Sequence, residues 1–161
     1  MGSNESRPGP RGALGLALLC LTLVGFGPCG PIPGGEISGT KATTAPADWS
    51  HTDALSTVQV ETRPGDPYSV TTWCVTDGTT LWVPSRGAAR KKWVENASAD
   101  PRVRLGIDGT IFEMTATRVT DPEEQRRIVG LLRAKYSMAR WSMDEDPARS
   151  PDTWYFRMTP R

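Results

Sequence analysis

Three turn signals cut the middle of the chain into runs too short and too regular for anything but antiparallel strands. Residues 56–63, Ser-Thr-Val-Gln-Val-Glu-Thr-Arg, alternate apolar and polar side chains, and Pro64-Gly65-Asp66-Pro67 follows at once. Proline presets φ for a turn and glycine supplies the backbone freedom to finish it, so a hairpin into 68–76 is predicted. Asp77-Gly78 is the next hairpin signal and returns the chain through 79–84. Asp108-Gly109 joins a strand over 102–107 to a long alternating run over 110–119. On that run Ile111, Glu113, Thr115 and Thr117 share one face and Phe112, Met114, Ala116 and Arg118 the other. Neither set is wholly apolar, so the pattern does not say which faces inward.

Thr120-Asp121-Pro122-Glu123-Glu124 reads as a helix start. Asp121 suits the N-cap, Pro122 the first helical position, and Glu124 the reciprocal place of a capping box. The turns that follow put Ile128, Leu131, Leu132 and Lys135 or Tyr136 on one stripe, with Arg126, Arg127 and Arg133 on the wet side. Residues 138–150, with Trp141 and the acidic Asp144-Glu145-Asp146, read as irregular, and 153–158 as a last strand. The fold class that follows is mainly β with side helices, a six-stranded antiparallel small barrel. A chain of 161 residues, 37% hydrophobic and 23% charged, has room for one such core.

Function is most legible in residues 85–105. Arg86, Arg90, Lys91, Lys92, Arg102 and Arg104 face only Glu95 and Asp100, a local charge of +4 in a chain whose net charge is +1. The apolar run Leu81-Trp82-Val83 precedes the stretch, and 88–99 contain neither Pro nor Gly, which predicts strand, Ser-Arg-Gly turn, then short helix. Such a turn aims backbone N–H groups and a positive helix end at one point, where a phosphate could meet the Ser85 hydroxyl and Arg90 or Lys91. The plainer reading is a solvated basic face over Trp93 and Val94. With a pI near 7.7, nucleic acid is excluded as a partner on charge, and a small anion is favoured.

Cys20, Cys29 and Cys74 form no metal or disulfide pattern, and Cys74, inside an apolar run, reads as a small buried residue. His51 is the single histidine, so a Cys/His or Ser/His catalytic pair would have to use a residue at the edge of the linker, where a lone histidine reads as exposed and idle. Residues 13–26 are an uncharged apolar run after Arg7 and Arg11, the layout of a secretory signal core rather than a membrane span. Cys29, just beyond, is a candidate lipidation site, although Pro28 occupies the place where lipoprotein signals prefer a small residue. The expected organisation is a signal peptide or lipoprotein signal over 1–29, a flexible Pro/Gly/Thr/Ala-rich linker over 30–50 and one domain over 51–161. That places the protein in the cell envelope, or in the cytoplasm if the N-terminal segment is not a signal.

The order of these features resembles a known family. An Asp-Gly hairpin leads to Pro84-Ser85-Arg86-Gly87, then Lys91-Lys92-Trp93-Val94-Glu95-Asn96, Asp100-Pro101-Arg102-Val103, a Gly109-x-x-Phe112-x-x-x-Ala116-x-x-Val119 strand, Asp121-Pro122-Glu123-Glu124 and Ala134-Lys135-Tyr136. This is similar to the FMN-binding split barrels, the pyridoxamine phosphate oxidase-like superfamily, and within it to the deazaflavin-dependent nitroreductase-like branch and its uncharacterised relatives. The resemblance implies a six-stranded split barrel, a homodimer holding FMN or a deazaflavin at its interface, and transfer of electron pairs to a small-molecule acceptor, with the cofactor carrying the chemistry. It implies that Ser69, Thr71, Thr72 and Trp73 run along the isoalloxazine, that Pro84, Ser85, Arg86, Arg90, Lys91 and Lys92 hold phosphate, and that Trp73 or Trp93 supplies an aromatic wall. It identifies no catalytic residue. Ala97 stands where the branch usually has Leu. The alternative is a barrel that has lost its cofactor and serves as a binding or structural lipoprotein.

Overall fold

The computed structural model describes residues 34–161. The expected signal segment, the lipidation candidate Cys29 and the first residues of the linker lie outside them. Among the described residues the strands are β1 (Thr40–Lys41), β2 (Val58–Thr62), β3 (Tyr68–Thr72), β4 (Val75–Thr76), β5 (Leu81–Ser85), β6 (Arg102–Ile107), β7 (Thr110–Arg118) and β8 (Trp154–Pro160). Three helices, α1 (Lys92–Ala99), α2 (Pro122–Lys135) and α3 (Ser137–Ser142), lie beside them. One sheet runs β3-β2-β6-β7-β8-β5-β4, antiparallel throughout, and β1 adds a short parallel pairing to β7. Six strands have five residues or more and make the expected split barrel, whose ends approach where the Thr72 hydroxyl lies 3.4 Å from the Pro84 carbonyl of β5.

The turn residues behave as their chemistry requires. Asp108 and Gly109 both take positive φ, the backbone a two-residue hairpin demands, and Gly78 takes positive φ within a four-residue loop between Thr76 and Leu81. β7 turns Phe112, Met114 and Ala116 into the barrel core with Val60, Val83, Leu105 and Phe156. A second core, containing Trp82, Val119, Ile128, Leu132 and Tyr155, lies between the other side of the sheet and α2. Asp121 caps α2 by accepting the Glu124 N–H at 2.8 Å, as expected.

Three expectations need correction. The single strand over 68–76 is two. At Trp73-Cys74 the chain leaves β2 and begins to pair with β5, which opens the split. The end of α2 fixes that corner. Lys135 Nζ donates to the carbonyls of Thr52 (2.7 Å) and Cys74 (3.0 Å), the Tyr136 hydroxyl lies 2.9 Å from the Cys74 carbonyl and accepts the Cys74 N–H at 3.2 Å, and Trp73 stacks on Tyr136 at 4.4 Å. Residues 138–150 are not wholly irregular, since they hold most of α3 and a 3-10 turn over Pro147–Arg149.

The third correction concerns the linker. From Gly34 to Lys41 it is an arm laid on the outer face of the sheet, and Trp49 beyond it packs into the barrel core. Gly34 bridges Ser69 through two backbone hydrogen bonds of 2.8 Å, and Thr40 and Ala42 donate to carbonyls of Gly109 and Ile111. Ile37 and Trp49 are buried. Beneath the arm the Glu61 carboxylate, 1% exposed, accepts from Arg104 Nε and from the Ile37 N–H, each at 2.6 Å, while Glu36 takes the outer edge of the Arg104 guanidinium. Proline and glycine content suggested freedom, but a few backbone hydrogen bonds and one buried ion pair hold the segment.

Candidate functional site

The basic turn forms where β5 ends. Gly87 sits at φ +64°, a conformation that costs other residues about 1 kcal/mol or more. That kink lets the Ala88 N–H reach the Asp152 carbonyl at 2.8 Å and starts a 3-10 turn over Ala88–Arg90. α1 follows with Lys91 at its N-cap and no side-chain hydrogen bond there. Helix starts normally recruit a Ser, Thr, Asp or Asn oxygen for their first amides; here the Val94 and Glu95 N–H groups turn back to the Lys91 carbonyl at 3.0 and 3.1 Å, and those of Lys92 and Trp93 are left for an outside acceptor. Arg86, Arg90 and Lys91 are exposed and have no ion-pair partner among the described residues, whereas Lys92 is engaged by Glu95 at 3.1 Å. Uncapped amides and three unpaired cations at one turn form a donor set suited to phosphate.

The other expected site residues divide by accessibility. Thr71 is exposed on β3, an edge strand, and Thr72 and Trp73 are half-buried at the seam between β3 and β5. One face of Trp73 is already covered by Tyr136. Four residues are withdrawn from direct contact. Ser69 lies under the arm, Pro84 and Ser85 are buried in β5, and Trp93 is 4% exposed with its ring 5.0 Å from Phe156. Trp93 therefore plugs the barrel end and cannot wall a ligand. The Ser85 hydroxyl, 5% exposed, is likewise turned away from solvent.

Cys74 is fully buried, and burial pushes its thiol above the ordinary value despite Lys135 Nζ at 3.7 Å. It is a corner residue and not a nucleophile. Burial likewise raises the Tyr136 phenol to about 12, so it stays protonated at the corner. Hollows of about 640, 430 and 310 Å³ open at Trp82 and Glu124, under the arm at Arg104, and beside Lys135, and none of the three includes a residue of the basic turn. On one chain Arg86, Arg90, Lys91 and Lys92 are exposed.

Two residues at this end were not legible in sequence. β8 lies between β5 and β7, with Trp154 opposite Ser85 and Phe156 opposite Arg118. The Arg118 guanidinium lies over the Trp154 ring, 3.4 Å from its centroid. Only the register of three strands distant in sequence brings these two residues together, with Trp154 opposite the last residue of β5.

Comparison with known proteins agrees with this architecture. The model of the family described as pyridoxamine 5'-phosphate oxidase matches residues 50–161. Among solved structures, a conserved hypothetical protein of Mycobacterium tuberculosis is 18% identical, covering 77% of this chain and 86% of that one with a TM-score of 0.55. A putative 5-nitroimidazole antibiotic resistance protein of Bacteroides thetaiotaomicron is 13% identical, covering 67% and 74% with a TM-score of 0.51. At these identities the likeness is one of fold. Comparison with curated proteins gives no significant match.

Proposed function

The chain belongs to the pyridoxamine 5'-phosphate oxidase family, and from that premise we propose that it is a flavin- or deazaflavin-dependent oxidoreductase that reduces a small-molecule acceptor. The observation that carries the reading is the uncapped start of α1 surrounded by Arg86, Arg90 and Lys91, none of them neutralised by a carboxylate among the described residues. These residues fit a cofactor's phosphate. The exposed edge at Thr71 and the seam at Thr72 fit the ring system, and the bound cofactor would supply the electron chemistry. This chain's own residues bind and orient it. The turn holds the anionic end, and β3 offers backbone and hydroxyl contacts along the ring. Because Arg86, Arg90 and Lys91 are exposed on a single chain, the remaining wall is assigned to a second copy, giving a homodimer. The apolar run over 13–26 supports a protein exported to the cell envelope and tethered there, with Cys29 as the site of lipid attachment.

The test is the absorbance of the purified full chain and its uptake of added cofactor. A band near roughly 450 nm for a flavin or roughly 420 nm for a deazaflavin, or micromolar binding of either, is expected. Failure to bind both overturns the proposal in favour of a cofactor-free barrel.

A further inference from the structure

Among the described residues the large hydrophobic side chains left exposed are Met138, at 66%, and Trp141, at 91%. A single apolar residue on a surface needs no explanation, but these two share the six-residue helix α3, three positions apart and so on one face. The other tryptophans are buried or half-buried. Nor can the helix turn that face inward. Its opposite side is committed, with Ala139 fully buried in the second core and Met143 packed against the same cluster. Arg133 Nη1 donates to the carbonyls of Arg140 (3.1 Å) and Met143 (2.6 Å), which ties the end of α3 to α2. The acidic loop that follows is engaged internally. Glu145 pairs with Arg133 at 2.8 Å, Asp144 lies 3.6 Å from Arg149, and Asp146 accepts the Ala148 N–H at 3.1 Å. Arg140, next to Trp141, is exposed and has no ion-pair partner among the described residues.

What covers this face follows from where the chain leads. Gly34 is held on Ser69 of the edge strand β3. From Ser69 the chain runs about 13 Å to the corner at Trp73, where that ring stacks on Tyr136, the residue that precedes α3. Residues 27–33 separate Gly34 from the apolar run over 13–26, a reach of about 30 Å at full extension. An anchor at that run therefore keeps α3 close enough to a bilayer to touch it. A second protein chain fits the patch less well. A tryptophan offers about 150–250 Å² of contact, and with one methionine it falls well short of the roughly 800 Å² per partner that a stable interface buries. A lipid interface sets no such threshold, and tryptophan suits it, with its ring at the acyl boundary and its N–H among the headgroups.

We propose that α3 is a bilayer-contact surface, with Trp141 and Met138 entering the boundary between headgroups and acyl chains and Arg140 meeting headgroup phosphate. The proposal rests on the reading of the N-terminal segment as a membrane tether and adds a second point of attachment, which would fix how the barrel faces the membrane. Because the charges around α3 nearly balance, apolar insertion drives the contact and a zwitterionic lipid suffices.

Residues 1–33 contain no tryptophan, so tryptophan quenching reports the domain and not the tether. The full chain is reconstituted with phosphatidylcholine vesicles carrying bromine on the acyl chains, and flotation measures association separately. The emission component absent from Trp141→Phe should lose about half its intensity or more on brominated lipid, and its quenching by aqueous acrylamide should fall about threefold. Met138→Asp should weaken the lipid quenching about threefold with an unchanged thermal melt, and added phosphatidylglycerol should alter it less than about twofold. Flotation without quenching of Trp141 overturns the contact and leaves the tether intact. Shielding of Trp141 from acrylamide that appears without lipid as protein concentration rises assigns the face to a second copy and also overturns it. A chain that does not float with the vesicles overturns both the contact and the tether.

Discussion

The buried ion pair under the arm offers the sharpest test of how the chain is held together. Glu61 is 1% exposed, accepts hydrogen bonds from Arg104 Nε and the Ile37 N–H, and is ion-paired to the Arg104 guanidinium. Arg104→Leu removes the guanidinium and leaves a carboxylate with a single amide donor in a site the arm has closed to water. Breaking a buried pair by removing one partner costs about 3–5 kcal/mol. The Arg104 side chain is 22% exposed, so some water can reach the vacated space and the low end, about 3 kcal/mol, is expected. The companion variant Glu61→Gln/Arg104→Leu removes the stranded charge but keeps an oxygen for the Ile37 N–H, and should recover about 2 kcal/mol of that loss. Urea denaturation followed by far-UV circular dichroism measures both, with unchanged slope as the check that the unfolding reaction is the same. A loss below about 1 kcal/mol for Arg104→Leu, or a double variant no more stable than the single one, would refute the claim that the arm seals Glu61 from solvent.

Other consequences are as definite. The Tyr155 hydroxyl is buried without a hydrogen-bond partner in the core under α2, so Tyr155→Phe should leave stability unchanged or raise it by about 1 kcal/mol, and a loss above that would mean the hydroxyl is satisfied. Burial raises the phenols of both Tyr136 and Tyr155 from 10 to about 12 in the folded state. The folded protein therefore binds more protons than the unfolded chain in that range, and stability present below pH 10 is lost as pH rises toward 12. Thermal melts across this range should show the decline, and Tyr155→Phe should make it shallower. Gly87→Ala forces a side chain into the left-handed region beside Arg90 and should cost about 1 kcal/mol in a melt, together with weaker cofactor binding in a titration.

Much of the barrel was legible because turn chemistry and alternation are local. Gly78 and the pair Asp108-Gly109 take a positive φ that few other residues adopt, and Asp121-Pro122 with Glu124 specifies a helix start through bonds within four residues. What the sequence hid was set by distant partners. The break at Trp73-Cys74 carries no Pro or Gly to mark it, and the bonds from Lys135 and Tyr136, some sixty residues on, fix it. The arm looked like a linker because its hold on the sheet is a backbone bridge and an ion pair to Glu61 and Arg104, which composition does not register. At the site, the basic turn was readable from charge and glycine placement, and Arg86, Arg90 and Lys91 do stand together at an uncapped helix start. Trp93 was ambiguous as an aromatic on a short helix, and packing against Phe156 decided it for the core. Arg118 and Trp154 could not be found without the register of β5, β8 and β7.

Cofactor affinity after charge reversal at the turn bears most directly on the functional account. Arg90→Glu/Lys91→Glu replaces two cations at the start of α1 with anions, and two lost charge-assisted contacts amount to about 3 kcal/mol, or roughly a hundredfold in affinity. The account predicts a loss of at least that size for flavin or deazaflavin titrated into the full chain, with the melting temperature unchanged. Affinity equal to that of the unaltered protein would contradict it, because the cofactor would then be held somewhere other than the basic turn.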